Sequence, residues 1–249
     1  MRPSVFIALL AVVALAQTPS IDQSLGAKSV ANAEISPDGR YVAYVVQQAD
    51  WDENEFVQQI WIAGVATGDR YQLTSGRKSN QNPLWSPDSK RIAFISERDG
   101  KKQIYVINPH GGEAQRLTSE DSGVIGFHWA PDGGAIAFTS TGPDAKSKKD
   151  RKEKYGDFEI VEGDYSQVHL WLVKTPAEIP SDPKQRPKPE LLTDSDKFSV
   201  GDFSWSPDSK HIAFSASRLS GTATEFRLLE RAAREFSCSL LALRSWMVK

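Results

Sequence analysis

The sequence lacks most of the features that mark disulfide-stabilised, nucleic-acid-binding or membrane-embedded proteins. Of its 249 residues only Cys238 is a cysteine, which excludes an internal disulfide and a cysteine-based zinc site. The formal net charge is −2, so the basic excess that a nucleic-acid-binding protein requires is missing. After the N-terminal residues, no apolar run resembles a membrane span. The 39% hydrophobic and 25% charged residues are instead typical of a chain that folds around an apolar core.

The longest apolar run lies at the N-terminus. Residues 5–13 follow the positive charge of Arg2, and the small residues Ala14 and Ala16 precede Gln17. This order is typical of a secretory signal peptide, and the run is shorter than the roughly 20 residues of a spanning helix. We therefore predict a signal peptide at residues 1–16, export to the periplasm or the medium, and no membrane attachment after cleavage. An uncleaved N-terminal anchor is the alternative.

What the sequence does contain is a repeat. Four ten-residue segments align without gaps, and they begin at Ile35, Trp85, Trp129 and Trp205. Each has Pro-Asp followed by Gly or Ser, which suits a tight type I turn, and each then ends in an apolar, β-prone triplet. The segments therefore predict four β-hairpins. The repeated Trp and Phe positions are predicted to form the core between repeats.

Two further short strands follow the first three hairpins. The third strands begin at Gln59, Gln103 and His169, and the fourth strands end in Leu-Thr pairs at 73–74, 117–118 and 192–193. Four strands in about 40–50 residues indicate the blade of a β-propeller. The third repeat is about 30 residues longer than this spacing predicts, which places an insertion at about 142–167.

The predicted fold is an all-β partial propeller of four-stranded blades, with three full blades plus one hairpin in residues 17–217. After Ser217 the repeat stops, so residues 218–249 are predicted to form an atypical tail. One hypothesis is a docking helix on the open sheet edge, with one face formed by Phe226, Leu229, Ala233, Phe236 and Leu240. The other is a truncated or frameshifted end, in which a shift near codon 218 would recover a propeller and a hydrolase. An open ring also predicts marginal stability and self-association through uncovered blade edges.

The hairpins closed by Leu-Thr resemble the TolB/WD40-like propeller repeats. These repeats occur in the TolB protein and in the N-terminal propeller of prolyl-oligopeptidase-type (S9) serine peptidases. The insertion, from Lys154 to Tyr165 and on to the strand at His169, is similar to a segment of acylaminoacyl- and dipeptidyl-peptidase-like members. The resemblance implies a substrate-gating propeller of an exported peptidase that acts on oligopeptides. A non-enzymatic, TolB-like periplasmic propeller that binds proteins is the alternative.

In such peptidases, the resemblance implies, the catalytic Ser, Asp and His belong to an α/β-hydrolase domain that follows the propeller. This sequence contains no Gly-x-Ser-x-Gly nucleophile motif. Its histidines, His110, His128, His169 and His211, fall on predicted strands or turns of the repeat. We therefore expect no catalytic residues, no cofactor and no peptidase activity of this chain by itself.

Related peptidases use acidic residues of a propeller insertion to hold the free amino terminus of a substrate. The resemblance therefore makes Glu159, Glu162, Asp164 and Tyr165 the candidate substrate-binding residues, with an ordinary surface loop as the alternative. The basic run 146–154 is interpreted as a solvated part of the same insertion. No metal site is predicted, because the four Pro-Asp aspartates lie on separate blades and each is explained by its turn.

Overall fold

The computed structural model describes residues 18–142, 153–154, 167–193, 198–218, 224–231 and 236–237. Within these ranges, sixteen β-strands form four antiparallel sheets, and the four strands of each sheet lie side by side in chain order. A short helix α1 (Ile21–Leu25) precedes the sheets, and a 3-10 helix (Pro183–Gln185) lies before the last strand of the third sheet. The predicted all-β propeller of four-stranded blades is therefore confirmed. The predicted signal peptide lies outside the described residues.

The strands of the four blades have the following bounds. Blade 1 contains β1 (Ser29–Ile35), β2 (Tyr41–Asp50), β3 (Glu55–Gly64) and β4 (Arg70–Gln72). Blade 2 contains β5 (Asn80–Trp85), β6 (Ile92–Ser96), β7 (Gln103–Ile107) and β8 (Gln115–Arg116). Blade 3 contains β9 (Val124–Trp129), β10 (Ala135–Thr141), β11 (Val168–Lys174) and β12 (Glu190–Leu191). Blade 4 contains β13 (Phe198–Trp205), β14 (His211–Arg218), β15 (Thr224–Glu230) and β16 (Phe236–Ser237).

Among the described residues, no helix has both the length and the apolar character needed to cross a membrane.

Blade 4 corrects the prediction of three full blades plus one hairpin. Strand β15 pairs antiparallel with β14 over its whole length, and β16 pairs with β15, so the fourth blade also has four strands. The predicted helical face is wrong for Phe226 and Leu229, which lie on opposite faces of β15, and Phe236 is also in a strand. Strand formation prevails because the free edge of β14 offers backbone hydrogen bonds that an isolated pattern of apolar residues does not reveal. Ala233 and Leu240 lie outside the described residues.

The apolar core lies in three seams between neighbouring blades. In blade 2, Ile92 and Phe94 pack in the seam with blade 1, whereas Ala93 and Ile95 pack in the seam with blade 3. This alternation follows from the period of two in a β-strand. Because both faces of β6 are covered, the strand has the continuous apolar sequence that the repeat showed rather than an apolar-polar alternation.

The repeated tryptophans join each blade to the one before it. The indole Nε1 of Trp85 donates to the carbonyl of Glu34 at 3.1 Å, and Trp129 donates to Leu84 at 3.2 Å. Trp205 makes the equivalent bond to the carbonyl of His128 at 3.3 Å. The predicted core position is confirmed, and each buried indole also donates to a backbone carbonyl of the preceding blade.

The Ser-Pro-Asp turns are stabilised by a hydroxyl-carboxylate bond. In blade 4 the Ser206 hydroxyl donates to Asp208 Oδ1 at 2.5 Å and accepts from the amide of His211 at 2.8 Å. The same carboxylate oxygen accepts from the amide of Lys210. Blades 1 and 2 repeat this arrangement with Ser36 and Ser86. The residue after each aspartate has a positive φ of 60–72°: Gly39, Ser89, Gly133 and Ser209.

Because of the aspartates in these turns, we expect the protein to be less stable in acid. The hydroxyl of Ser206 and the amide of Lys210 lower the pKa of Asp208 below 3.8. A carboxyl with a depressed pKa in the folded state stabilises the protein above its unfolded pKa, and this contribution is lost as the pH falls through the folded value. Between neutral pH and about pH 3, we expect the urea midpoint of Ser206→Ala to fall by less than that of the original protein. Ser181→Ala, on an exposed serine outside these turns, is the control. An unchanged pH dependence in Ser206→Ala would contradict the prediction.

Candidate functional site

The insertion starts and ends at one point of blade 3. Thr141 and Val168 are the last paired residues of β10 and β11, and the amide of Gly142 then donates to the carbonyl of Gln167 at 2.8 Å. A Cβ atom at position 142 would lie 2.2 Å from His169 Cδ2, so the backbone can pass here because residue 142 is a glycine. The two residues that flank the insertion, Gly142 and Gln167, are therefore held side by side at its base.

The base of the insertion is also tied to blade 4. The amide of Val168 donates to the hydroxyl of Ser199 on β13 at 3.0 Å. This bond crosses the seam between blades 3 and 4, so the point where the insertion rejoins the sheet is fixed relative to both blades.

A cleft of about 570 Å³ opens beside this base, between β9 of blade 3 and β13 of blade 4. Its volume lies in the range of about 300–1,000 Å³ that is typical of small-ligand sites. Val168 and Thr139 line the cleft on the side of β10 and β11. The other lining residues are Ile125, Gly126, Phe127, His128, Val200, Gly201, Asp202 and Phe203.

The two strands that line most of this cleft are irregular, as are the first strands of blades 1 and 2. The pairing of β9 with β10 shifts register between Thr139 and Ser140, and that of β13 with β14 shifts between Val200 and Phe203. Such bulges bend a strand and locally interrupt its backbone hydrogen bonds to the neighbouring strand. Gly126 lies at one of the irregular stretches without a side chain to fill the space, and a Cβ there would find only Thr139 Oγ1, at 3.8 Å.

The cleft combines aromatic, imidazole and carboxylate groups. The His128 ring contacts the Phe203 ring edge-on, with 5.1 Å between centroids. His128 is exposed at the cleft, yet desolvation by its neighbours lowers its pKa, and the negative charges of Glu34 and Asp202 partly oppose this lowering. The imidazole is therefore neutral at neutral pH and offers one hydrogen-bond donor and one acceptor. The exposed Asp202 adds a negative charge at the rim, so the cleft suits an apolar group that carries or adjoins a cation.

The sequence-predicted site residues Glu159, Glu162, Asp164 and Tyr165 lie outside the described residues. Val168, where the segment that carries them rejoins the sheet, lines the cleft. Within the part of the chain that the structure describes, no group of three or more His, Cys, Asp or Glu side chains is arranged to hold a metal ion.

Sequence reasoning missed the cleft residues His128, Asp202 and Phe203. They come from two blades that are more than 70 residues apart, and the repeat pattern assigns each of them to an ordinary inner strand. The sequence nevertheless differs between blades at the position three residues before each seam tryptophan. Gly126 and Asp202 occupy that position in blades 3 and 4, where blade 2 has Asn82.

Four antiparallel strands per sheet, in chain order, with sheets packed face to face through apolar seams, define a β-propeller. The chain belongs to the TolB β-propeller domain family, whose model matches residues 21–146. The family resemblance expected from the hairpins is therefore confirmed. This propeller domain is shared by S9 peptidases and TolB.

Two curated relatives match most of this chain. The uncharacterized peptidase YuxL of Bacillus subtilis is 34% identical over 205 residues, which are 76% of this chain and 29% of that protein. Dipeptidyl-peptidase 5 of Porphyromonas gingivalis is 26% identical over 222 residues, which are 83% of this chain and 32% of that protein. The chain thus spans about three-tenths of the length of these relatives.

Solved structures show the same fold at low identity. The acylaminoacyl peptidase of Pyrococcus horikoshii superposes with a TM-score of 0.60 and 15% identity, over 87% of this chain and 33% of that one. TolB of Acinetobacter baumannii superposes with a TM-score of 0.54 and 20% identity, over 84% of this chain and 43% of that one.

Proposed function

We propose that this chain is the substrate-gating propeller portion of an exported S9-type serine peptidase that acts on oligopeptides. The observation that carries the proposal is the cleft between blades 3 and 4, at whose rim the peptidase-like insertion is rooted. Similarity to two proteins named as peptidases, over three quarters or more of this chain, supports it. Residues 1–16 are proposed to direct export as a signal peptide.

In this proposal the chain supplies binding and size selection, and a hydrolase domain supplies the groups that break the peptide bond. An extended peptide would place an apolar side chain against Phe203 and a neighbouring positive charge at Asp202. Glu159, Glu162, Asp164 and Tyr165 would hold the peptide from the insertion. Folded proteins would be excluded because the cleft admits only a few side chains.

Binding of labelled oligopeptides, measured by fluorescence anisotropy, tests the proposal. Peptides with adjoining apolar and basic residues are expected to bind, and Asp202→Asn is expected to weaken them about tenfold, which corresponds to roughly 1.4 kcal/mol. Phe203→Leu, which keeps an apolar side chain, should weaken binding less. Asp69→Asn is the matched control, because it removes an exposed charge away from the cleft. Equal affinity of Asp202→Asn and the original chain would rule out the cleft as the peptide site.

A TolB-like propeller that binds folded proteins is the second candidate. It is supported by a 34% identity over 79 residues with the Tol-Pal system protein TolB of Alkalilimnicola ehrlichii, although that match covers 31% of this chain. The same assay separates the two candidates. Competition of the labelled peptide by short unlabelled peptides favours the peptidase propeller, whereas no peptide binding together with a stable complex with a folded protein favours the scaffold.

A further inference from the structure

The Ser-Pro-Asp turns of neighbouring blades are hydrogen-bonded to one another. The amide of Asp38 in blade 1 donates to the hydroxyl of Ser89 in blade 2 at 3.1 Å. The amide of Asp132 in blade 3 donates in the same way to the hydroxyl of Ser209 in blade 4 at 2.9 Å. We call these two bonds turn clasps. They join blade 1 to blade 2, and blade 3 to blade 4, at the turn end of each seam.

The two serines of the turn clasps have a strained backbone. Ser89 and Ser209 both have a φ of 60°, in the left-handed region that favours glycine. Gly39 and Gly133 occupy the same position in blades 1 and 3, and in all four turns the amide of this residue donates to the carbonyl three positions earlier. A glycine therefore suffices for the turn itself. What a serine adds, at the cost of this strain, is the hydroxyl that accepts from the preceding blade.

The seam between blades 2 and 3 has no turn clasp. Its turn position is Gly133, so no hydroxyl is offered there to the amide of Asp88 in blade 2. The turn end of this seam is instead joined through Arg91, whose Nη1 donates to the carbonyl of Pro176 at 2.7 Å and whose guanidinium lies 5.3 Å from the centre of the Trp129 ring. Pro176 belongs to the connection between β11 and β12. A bond from a long side chain to a connection can break and form again without distorting either sheet.

The opposite end of this seam is fixed by the backbone. The amide of Val124, the first residue of β9, donates at 2.8 Å to the carbonyl of Lys102, which directly precedes β7. Between the two ends, the indole of Trp129 donates to the carbonyl of Leu84. The contacts that join blades 2 and 3 therefore run from a backbone bond at one end to the side chain of Arg91 at the other.

We propose that the seam between blades 2 and 3 is a hinge at which the propeller opens and closes. Blades 1 and 2 form one clasped pair and blades 3 and 4 the other. The turn end of the seam opens about the bond between Val124 and Lys102, and Arg91 is the latch. Hinges of this kind rotate rigid units about a few residues at the ends of elements. Because the walls of the cleft belong to blades 3 and 4, opening changes access between the pairs and leaves the cleft pre-formed.

Three indole groups report on the three seams. Trp85, Trp129 and Trp205 are 7%, 8% and 7% exposed, and each donates its N–H across its own seam. Exchange of an indole proton with solvent therefore requires that seam to open. By NMR at neutral pH, we expect the Trp129 indole to exchange about tenfold faster than that of Trp85, which is the effect of about one missing hydrogen bond. Equal rates for these two indoles would overturn the hinge.

Gly133→Ser is expected to lock the hinge. A Cβ atom at this position would lie in ordinary contact with Pro87 Cδ, at 3.7 Å, next to the amide of Asp88. The added hydroxyl should protect that amide and slow exchange of the Trp129 indole about tenfold. Gly39→Ser is the matched control, because Gly39 has a similar φ of 72° but a Cβ there would have no described atom within 4 Å. A protected Asp88 amide with unchanged exchange at Trp129, or equal slowing by the control, would contradict the hinge.

Ser89→Gly is the opposite test and depends on no new bond. It relieves the left-handed strain and removes the clasp between blades 1 and 2, so the Trp85 indole is expected to exchange about tenfold faster while the Trp129 indole keeps its rate. Unchanged exchange at Trp85 would show that the serine does not clasp the seam, and the division into two pairs would fall. None of these measurements involves a peptide, so failure of the hinge and failure of the proposed function are distinguishable.

Discussion

Replacing Phe138 with alanine is expected to lower the free energy of unfolding by about 3–5 kcal/mol. The ring is fully buried in the seam between blades 2 and 3 and stacks on Trp171, with 6.3 Å between centroids. Truncation removes contacts on both blades, and the rigid sheets on either side cannot close the resulting cavity. Urea unfolding followed by tryptophan fluorescence measures the change.

Phe56→Ala is the matched control for this substitution. Phe56 is also in a β-strand, but it is 50% exposed, so its truncation is expected to cost about 1 kcal/mol or less. Similar losses for the two variants would contradict a core concentrated in the seams between blades.

The hairpins could be predicted from the sequence because their causes are local. Ser206, Asp208 and the residue with positive φ lie within four positions of one another, and their hydrogen bonds form inside the turn. The same chemistry recurs in blades 1 and 2, so the repeat was visible as a sequence pattern. The seams followed from the apolar residues on both faces of strands such as β6.

The second half of blade 4 could not be predicted because its cause is not local. Strand β15 (Thr224–Glu230) has Arg227 at the register position where the third strands of blades 1 to 3 have an aromatic residue, Trp61, Tyr105 and Trp171. Its structure depends on the backbone edge of β14, and its burial depends on Leu229 entering the seam with blade 3. Neither condition is visible from the spacing of Phe226 and Leu229, which fits a helix equally well.

The candidate site, like the fold, could be predicted from the sequence only in part. The insertion was found because its length breaks the repeat, and the residues Glu159 to Tyr165 stay a prediction. The cleft beside it depends on two bulged strands and on the approach of His128 to Phe203 across a seam. Contacts of this kind arise from the packing of blades, so a pattern within one repeat does not contain them.

The Leu-Thr pairs have a structural role that the repeat alone did not explain. The Thr118 hydroxyl accepts from the amide of Ile104 at 2.9 Å and donates to Gln103 Oε1 at 2.8 Å. The third and fourth strands of blade 2 are therefore joined by a side chain where their backbone ladder ends. Thr74 makes the same two bonds in blade 1, and Thr193 accepts from the amide of Leu170 in blade 3.

Thr118→Val is therefore expected to lower the free energy of unfolding by about 2–3 kcal/mol, although valine has nearly the same shape. The loss arises because the buried amide of Ile104 is left without its acceptor, which costs more than the bond itself contributed. Thr118→Ser keeps the hydroxyl and loses one methyl group, so its expected cost is about 1 kcal/mol. Urea unfolding measures both variants, and hydrogen exchange at Ile104 should accelerate in the valine variant alone. If valine were tolerated as well as serine, the threonine would be filling space, and the hydroxyl would not be what closes the blade.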